Sequence, residues 1–300
     1  MSDSRSLIAV VGASGSQGGG VVQALQERGT FRVRALTRDP DAYRGPADEV
    51  ALADLARAET LSAAFAGAHG AFLVTNFWEP GTDEIAQGSA AVRAAREAGV
   101  QHLVWSTLPD VETISGGKYE VQHFTQKSRV DPVVRDAGFP SYTYVMPPFY
   151  FENLAGNMAP QTLPDGSRGW ALAMPRDARV VHAGSVADLG GVVSGAFENP
   201  DLVGAGAYLA PTPGLMSFGD AVDTLNEQGH DLSYQEVPAE VFRGFFPGAE
   251  EMLQMFGYWQ EYTYLGPGAE AKIALARRVT TGQITDFATW AAVHLPVART

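Results

Sequence analysis

The chain has 300 residues, of which 45% are hydrophobic and 18% are charged, and its formal net charge at pH 7 is −13. This composition is typical of a globular protein, and the length suffices for one large domain or two smaller ones. The negative charge argues against direct nucleic-acid binding, which depends on lysine and arginine. The absence of cysteine excludes disulfides, thiol nucleophiles and thiolate metal sites. The six histidines show no metal-ligand spacing, so no metal is expected.

The N-terminal residues Met-Ser-Asp-Ser-Arg-Ser precede a run of only five apolar residues, 7–11, before the first glycine. This run is too short for a signal peptide or a membrane span. The sequence therefore predicts a cytoplasmic protein with no membrane partner.

Residues 7–20 carry the strongest functional signal. The apolar run 7–11 ends at Gly12, and Gly15 and Gly18 follow at intervals of three residues. In a strand–turn–helix unit, such glycines permit a tight turn, let a phosphate approach the backbone and allow the helix to pack closely on the strand. The helix N-terminus adds unpaired N–H groups and the positive end of the helix dipole. The motif predicts a dinucleotide site, and an ordinary strand–helix turn is the alternative.

The second predicted strand indicates which dinucleotide would bind. Residues 31–36 alternate in polarity, and Thr37, Arg38 and Asp39 follow them. An acidic residue at this place binds the ribose hydroxyls of NAD, whereas an arginine can pair with the 2′-phosphate of NADP. Arg38 therefore favours NADP(H) over NAD(H). Asp39 could instead pair with Arg38 or face the ribose, and Arg38 could be a solvated loop charge.

Strands and helices alternate through the first half of the chain. The predicted strands are 7–11, 31–36, 48–52, 70–75, 101–106 and 141–146, and the predicted helices are 17–28, 58–66, 82–98 and 120–137. This alternation predicts the α/β class, with a doubly wound parallel sheet of the Rossmann type. Ligands of such sheets bind beyond the carboxyl ends of the strands, which nominates residues 75–78, 106–109 and 147–150.

The second half of the chain has a different character. Predicted features are loops and short strands in 160–179, strands at 180–182 and 207–210, a helix at 185–197 capped by Ser185, and mostly helices beyond Ser217. We therefore expect a Rossmann domain of residues 1–150 plus roughly 179–215. Residues 151–178 and 216–300 should form a smaller, mostly helical lobe beside a cleft.

The motifs together resemble the NmrA-like family, an atypical branch of the short-chain dehydrogenase/reductase superfamily. The segments that carry the resemblance are, in the family's order, 11–18, 37–40, 74–79, 102–109, 123–127, 148–154 and 246–248. The resemblance implies a cytosolic protein that can form a homodimer and that binds NADP(H). The residues it implies for the cofactor site are Gly12, Ser14, Gly15, Ser16, Gln17, Gly18, Arg38, Thr75, Asn76, Phe77, Lys127, Pro148, Phe149, Tyr150 and Asn153.

The candidate catalytic residues are Lys127 and His123. Classical members of the superfamily use a tyrosine four residues before a lysine on one helix face, and here His123 takes the tyrosine's place. Imidazole can donate a proton, although a histidine packed on a helix face is the alternative. Lys127 could contact the cofactor, or act as a general base as in the related isoflavone-reductase branch. Tyr119 lies a full turn further back, and Ser106 ends the fifth strand, where a structural hydrogen bond is the alternative.

Three hypotheses about function remain open, because the fold alone does not decide between them. The missing tyrosine and the lack of another acid–base pair favour a cofactor-ratio sensor that acts through a protein partner. An aromatic wall of Phe77, Trp78, Phe149 and Tyr150 favours an NADPH-dependent reductase of quinones, enones or imines, although these rings could simply pack in the core. The glycine turn and Arg38 argue against a scaffold with a purely structural nucleotide site. The sensor is our first expectation, and the reductase is the alternative.

Overall fold

A computed structural model of the chain describes residues 4–297. The strands of this part of the chain are β1 (Leu7–Val11), β2 (Arg32–Thr37), β3 (Glu49–Leu52), β4 (Gly70–Leu73), β5 (His102–Ser106), β6 (Ser141–Val145), β7 (Phe149–Tyr150), β8 (Gln161–Thr162), β9 (Arg168–Leu172), β10 (Val181–Gly184), β11 (Ala205–Leu209), β12 (Gly214–Met216) and β13 (Ser233–Glu236). The α-helices are α1 (Ser16–Arg28), α2 (Leu61–Phe65), α3 (Glu84–Glu97), α4 (Val111–Ile114), α5 (Gln122–Ser128), α6 (Asp131–Asp136), α7 (Val186–Glu198), α8 (Pro200–Val203), α9 (Phe218–Glu227), α10 (Ala239–Phe242), α11 (Ala249–Tyr262), α12 (Ala269–Val279) and α13 (Phe287–His294).

Seven parallel strands form the central sheet, in the order β11-β6-β5-β4-β1-β2-β3. Strands β1, β4 and β5 are buried along their whole length, because helices cover both faces of the sheet. The strand order reverses beside β1, which is where a doubly wound sheet opens a crevice at its carboxyl edge. The predicted α/β fold class is thereby confirmed, and the strand that follows α8 completes the sheet next to β6.

The two faces of β1 anchor separate helical layers. Ile8 and Val10 pack with α1, α7 and α12, whereas Ala9 and Val11 pack with α2, α3 and α6. This division follows from the alternation of side chains along a strand. Ser185 caps α7 as predicted, since its hydroxyl accepts a hydrogen bond from the N–H of Ala187.

A third core cluster forms the C-terminal lobe, where Trp170, Phe218, Phe256, Trp259 and Trp290 come together. The chain beyond Ser217 is mostly helical, as predicted: α9, α10, α11 and α13 pack in this cluster, whereas α12 packs both on it and on the layer that covers the central sheet. Strand β13 pairs with β9 in a small separate sheet. The domain boundaries stay a prediction. None of the helices in residues 4–297 is long and apolar enough to cross a membrane.

The prediction of one helix over 120–137 is wrong, because the chain forms α5 and α6 in its place. Pro132 lies in the first turn of α6. Its ring has no N–H to donate and would clash with the carbonyl of Ser128 in a continuous helix. The proline instead starts a new helix, a position in which it is well tolerated. The predicted helix 58–66 is likewise divided, into a 3₁₀ turn at Ala58–Thr60 and then α2.

The break before α6 places Asp131 against the sheet. Its carboxylate accepts hydrogen bonds from Trp105 Nε1 at 3.1 Å and from the Tyr208 hydroxyl at 2.9 Å. Tyr208 stacks on Tyr144 with a centroid distance of 4.4 Å, and the Tyr144 hydroxyl donates to the Asp131 carbonyl at 2.8 Å. Burial raises the pKa of Asp131 to about 7 despite these hydrogen bonds.

Asp131 should make the stability of the protein depend on pH. The pKa of Asp131 is about 7 in the folded protein and about 3.9 in the unfolded chain. Between about pH 4 and pH 7, the folded protein therefore keeps a proton that the unfolded chain has lost. The free energy of unfolding should therefore fall by about 3–4 kcal/mol as pH rises through this window, since each unit of pKa difference corresponds to about 1.4 kcal/mol. Asp131→Asn should remove the fall in urea titrations, since the amide imitates the protonated acid. The control Asp136→Asn, at an exposed site, should retain it, and identical pH profiles for wild type and Asp131→Asn would contradict the assignment.

Candidate functional site

A cleft of about 760 Å³ opens at the carboxyl edge of the central sheet. Every residue predicted to bind the cofactor lines this one cleft, and so do the candidate catalytic residues: Gly12, Ser14, Gly15, Ser16, Gln17, Gly18, Arg38, Thr75, Asn76, Phe77, His123, Lys127, Pro148, Phe149, Tyr150 and Asn153. The structure thus brings together residues from five separate segments of the chain, although their assignment to a cofactor stays a prediction. No group of three or more His, Asp or Glu residues within the described part of the chain could hold a metal ion.

The glycine turn joins β1 to α1 at the floor of the cleft. Gly12 has a φ of 67°, in the left-handed region that favours glycine. A Cβ on Gly18 would lie 2.3 Å from the carbonyl oxygen of Gly12, so only glycine allows α1 to begin this close to the strand. The first turn of α1 has neither a side-chain cap nor an acidic residue. Its N-terminus is therefore suited to bind an anionic group such as a pyrophosphate.

Ser106 supports this turn from the neighbouring strand. Its buried hydroxyl donates a 2.7 Å hydrogen bond to Gln17 Oε1, which ties the end of β5 to the first turn of α1. Ser106 does not itself line the cleft, and neither does Tyr119, whose hydroxyl donates to Glu261 at 2.5 Å. Ser106 thus makes a structural hydrogen bond, and Tyr119 lies outside the candidate site.

Arg38 stands at the rim of the cleft, where it forms an ion pair with Glu79. The Arg38 side chain is 63% exposed, and Glu79 is also well exposed. Asp39 turns away, because its carboxylate accepts a hydrogen bond from the N–H of Ala42 at 3.1 Å. An exposed ion pair is worth little, so an anionic ligand that enters the cleft can take the place of Glu79 on the guanidinium group.

Lys127 lies at the centre of a buried polar cluster with Glu84 and Thr75. Glu84 is fully buried and forms an ion pair with Lys127, whose Nζ also donates to the Thr75 carbonyl at 3.0 Å. The Thr75 hydroxyl in turn donates to Glu84 Oε1 at 2.6 Å. Burial lowers the pKa of Lys127, while the Glu84 carboxylate opposes this by stabilising the ammonium ion. The cluster joins the loop after β4 to α3 and α5.

Glu84 belongs to this site although the sequence gives no sign of it. Glu84 occupies the first turn of α3, directly after the Asp83 cap. Acidic residues are common there because they complement the helix dipole. No pattern in the sequence marks Glu84 as buried, since its burial depends on Lys127, which lies 43 residues away.

His123 faces the cleft from α5 and is held by a carboxylate from the C-terminal lobe. Its Nδ1 lies 2.6 Å from Glu251 Oε1 on α11, and its backbone N–H donates to the same oxygen at 3.2 Å. The imidazole packs among Phe77, Trp78 and Phe124, with ring centroid distances of 5.8, 5.0 and 4.9 Å. The structure thus joins His123 to a carboxylate that no pattern in the sequence connects with it.

One wall of the cleft is apolar. Phe77, Trp78, Phe149 and Tyr150 line it as predicted, and Met158, Met252 and Met255 extend the wall into the C-terminal lobe. Phe149 is 7% exposed and belongs to the core as well, whereas Trp78 is 66% exposed at the mouth of the cleft. The aromatic residues thus provide flat surfaces on which a planar molecule can stack.

The sheet order, the glycine turn and the cleft beside it define a Rossmann-fold protein. The sequence matches the NmrA-like family over residues 4–291, so the chain belongs to this family. Curated relatives include the NmrA-like oxidoreductase malD of Malbranchea aurantiaca, 31% identical over 97% of each chain. Another is the NmrA-like oxidoreductase FrzB of Cladobotryum sp., 36% identical over 65% of each chain.

Solved structures show the same fold. NmrA, described as a negative transcriptional regulator and solved in complex with NADP, superposes with a TM-score of 0.78 at 22% identity, covering 97% of this chain and 95% of its own. The NADPH-dependent quinone oxidoreductase QOR2 of Escherichia coli, solved with NADPH, gives a TM-score of 0.73 at 18% identity, covering 96% of this chain and 99% of its own.

Removing one partner of the buried ion pair should be costly. Lys127→Met leaves the Glu84 carboxylate buried without a counter-charge, and the free energy of unfolding should fall by about 3–5 kcal/mol. The double variant Lys127→Met/Glu84→Gln should recover most of this loss in urea titrations at neutral pH. Lys118→Met, which removes an exposed lysine paired with Glu261, serves as the control and should change stability little. A double variant no more stable than the single variant would contradict this account of the pair.

Proposed function

We propose that the protein is an NADP(H)-dependent reductase whose cleft binds the cofactor and a flat, mostly apolar substrate. The observation that carries this proposal is the His123–Glu251 pair, because His123 lines the same cleft as the aromatic wall and the glycine turn. In the pair, Glu251 gives the candidate proton donor His123 a carboxylate partner. This pairing favours the reductase over the sensor.

The glycine turn and Arg38 fit the phosphate groups of a dinucleotide. The uncapped N-terminus of α1 behind the Gly12 turn would hold the pyrophosphate, and Arg38 would hold the 2′-phosphate of the adenosine ribose. NmrA solved with NADP and the quinone oxidoreductase solved with NADPH support this choice of cofactor.

His123 and the apolar wall fit the reduction of a conjugated carbonyl or imine. When bound, NADPH supplies a hydride to the substrate. His123 would donate the proton from Nε2 to the substrate oxygen or nitrogen, and the resulting neutral imidazole would regain a proton from water. Lys127 would hold the Thr75 loop and contact the cofactor rather than act as a base, because its ammonium group is paired with buried Glu84.

The substrate class follows from the walls of the cleft. Phe77, Trp78 and Phe149 offer flat rings, and Met252 and Met255 offer an adaptable apolar surface. Quinones, enones and cyclic imines match this combination of planar shape and low charge. The names of the fungal relatives, which are called oxidoreductases, agree with turnover.

One observation favours the cofactor-ratio sensor as a second candidate. Helix α11 of the C-terminal lobe contributes Met252 and Met255 to the wall of the cleft. A bound cofactor or substrate would therefore touch this lobe and could change the surface that it presents to a protein partner or to a second copy of the chain.

NADPH oxidation by the purified protein distinguishes the two functions. We expect turnover with at least one member of a panel of naphthoquinone, cyclohexenone and a cyclic imine. His123→Gln should lower kcat by about 100-fold, since it removes the proton donor. His69→Gln, which changes an exposed histidine, is the control and should retain activity. A protein that binds NADPH but turns over no member of the panel would contradict the reductase and leave the sensor.

Arg38 should set the preference for the phosphorylated cofactor. Arg38→Ala should weaken NADPH binding by about 10- to 100-fold through the loss of charge-assisted hydrogen bonds, with little change for NADH. Glu79→Gln should have the opposite sign and tighten NADPH binding by about 2- to 5-fold, because it removes the competing carboxylate. Both effects can be measured by fluorescence titration. Equal losses of NADPH and NADH affinity in Arg38→Ala would contradict the assignment.

A further inference from the structure

Glu251 makes an unusually specific contact with His123. A single carboxylate oxygen, Oε1, accepts hydrogen bonds from both Nδ1 and the backbone N–H of His123. Burial alone would raise the pKa of Glu251, but the hydrogen bonds from His123 outweigh it, so the pKa is lowered and the carboxylate is ionised near neutral pH. An ionised carboxylate only accepts hydrogen bonds, and Nδ1 must therefore carry the proton.

The other imidazole nitrogen remains available to a ligand. Within residues 4–297, Nε2 of His123 has no hydrogen-bond partner, and the ring lines the cleft. Trp78 and Phe124 pack on the ring with interplanar angles of 44° and 90°. This packing restricts rotation of the ring, so that Glu251 and the aromatic neighbours together hold Nε2 towards the cleft.

We propose that Glu251 is the positioning residue for proton donation by His123, an inference that rests on the proposed reductase function. The carboxylate keeps a proton on Nδ1, so that the proton which a ring protonated on both nitrogens gives up is the one on Nε2. Proton transfer then breaks the Nε2–H bond and forms an O–H or N–H bond on the substrate, while the Nδ1–H bond stays intact. The hydride from NADPH supplies both electrons of the reduction.

Glu250, the preceding residue, is a matched control for the role of Glu251. Both residues lie in the first turn of α11, where either carboxylate complements the helix dipole. Glu250 is exposed and its carboxylate accepts a 2.6 Å hydrogen bond from Arg243, outside the cleft. A merely structural role in starting the helix would be shared by the two residues, whereas a role in proton donation belongs to Glu251 alone.

The choice of electron acceptor separates proton donation from hydride transfer. A naphthoquinone takes a hydride and then needs a proton on oxygen. A cationic triphenylmethane dye takes a hydride at its central carbon and becomes neutral without any proton. Loss of Glu251 should therefore slow the first reaction and leave the second unchanged.

The experiment compares the wild-type chain, Glu251→Gln and Glu250→Gln with both acceptors, over NADPH concentrations from below KM to saturation. Glu251→Gln preserves the size of the side chain and an acceptor oxygen but removes the charge. We expect kcat for the quinone to fall by about 10- to 100-fold, with KM for NADPH and all rates with the dye unchanged. Glu250→Gln should match wild type with both acceptors.

Imidazole NMR of nitrogen-labelled protein provides a readout that does not depend on turnover. For the neutral imidazole of His123, the state that remains after proton donation, we expect the Nδ1–H tautomer in wild type and a mixture of tautomers in Glu251→Gln. Equal losses with both acceptors, no loss with either, or an Nε2–H tautomer in wild type would each overturn the role of Glu251 alone. Failure of wild type and Glu250→Gln to turn over either acceptor would overturn the reductase function and this inference with it.

Discussion

The close approach of α1 to the turn after β1 is the constraint on which the cleft depends. A Cβ at Gly18 would lie 2.3 Å from the Gly12 carbonyl oxygen, and a Cβ at Gly190 on α7 would lie equally close, at 2.3 Å, to the carbonyl oxygen of Gly20. These contacts leave no room for side chains at Gly18 and Gly190. They fix the position of α1 along the sheet and its distance from α7. The N-terminus of α1 is thereby fixed at the point where the strand order reverses, and the other walls of the cleft are arranged around it.

Helix α5 has only seven residues, yet two of its side chains that line the cleft, Lys127 and His123, are each paired with a carboxylate. Lys127 is bound to Glu84 of α3, and His123 is bound to Glu251 of α11. Burying charged groups costs desolvation energy, which such pairs offset only with good geometry. The two pairs have different roles. The Lys127 ammonium group is bonded to Glu84 and to the Thr75 carbonyl and so holds the loop after β4, whereas His123 is bonded to Glu251 through Nδ1 and has Nε2 available for a ligand.

Local patterns in the sequence predicted the fold and, for each ion pair of the site, the basic residue but not its carboxylate partner. Glycine spacing located the turn at Gly12, and strand-end position located Arg38, because both signals lie within a few residues. The partner carboxylates escaped prediction for a physical reason. Glu79 lies 41 residues from Arg38, and Glu251 lies 128 residues from His123, so only tertiary packing brings them together. The division of 120–137 into two helices was missed although Pro132 signals it.

The crystal structure of the protein with NADPH and a non-reducible quinone analogue would test most directly whether one cleft holds both ligands of a reductase. We expect the pyrophosphate at the N-terminus of α1, the 2′-phosphate on Arg38 in place of Glu79, and the analogue's oxygen within hydrogen-bond distance of His123 Nε2. A nicotinamide ring directed away from His123, or an analogue bound outside the aromatic wall, would contradict the proposed reductase.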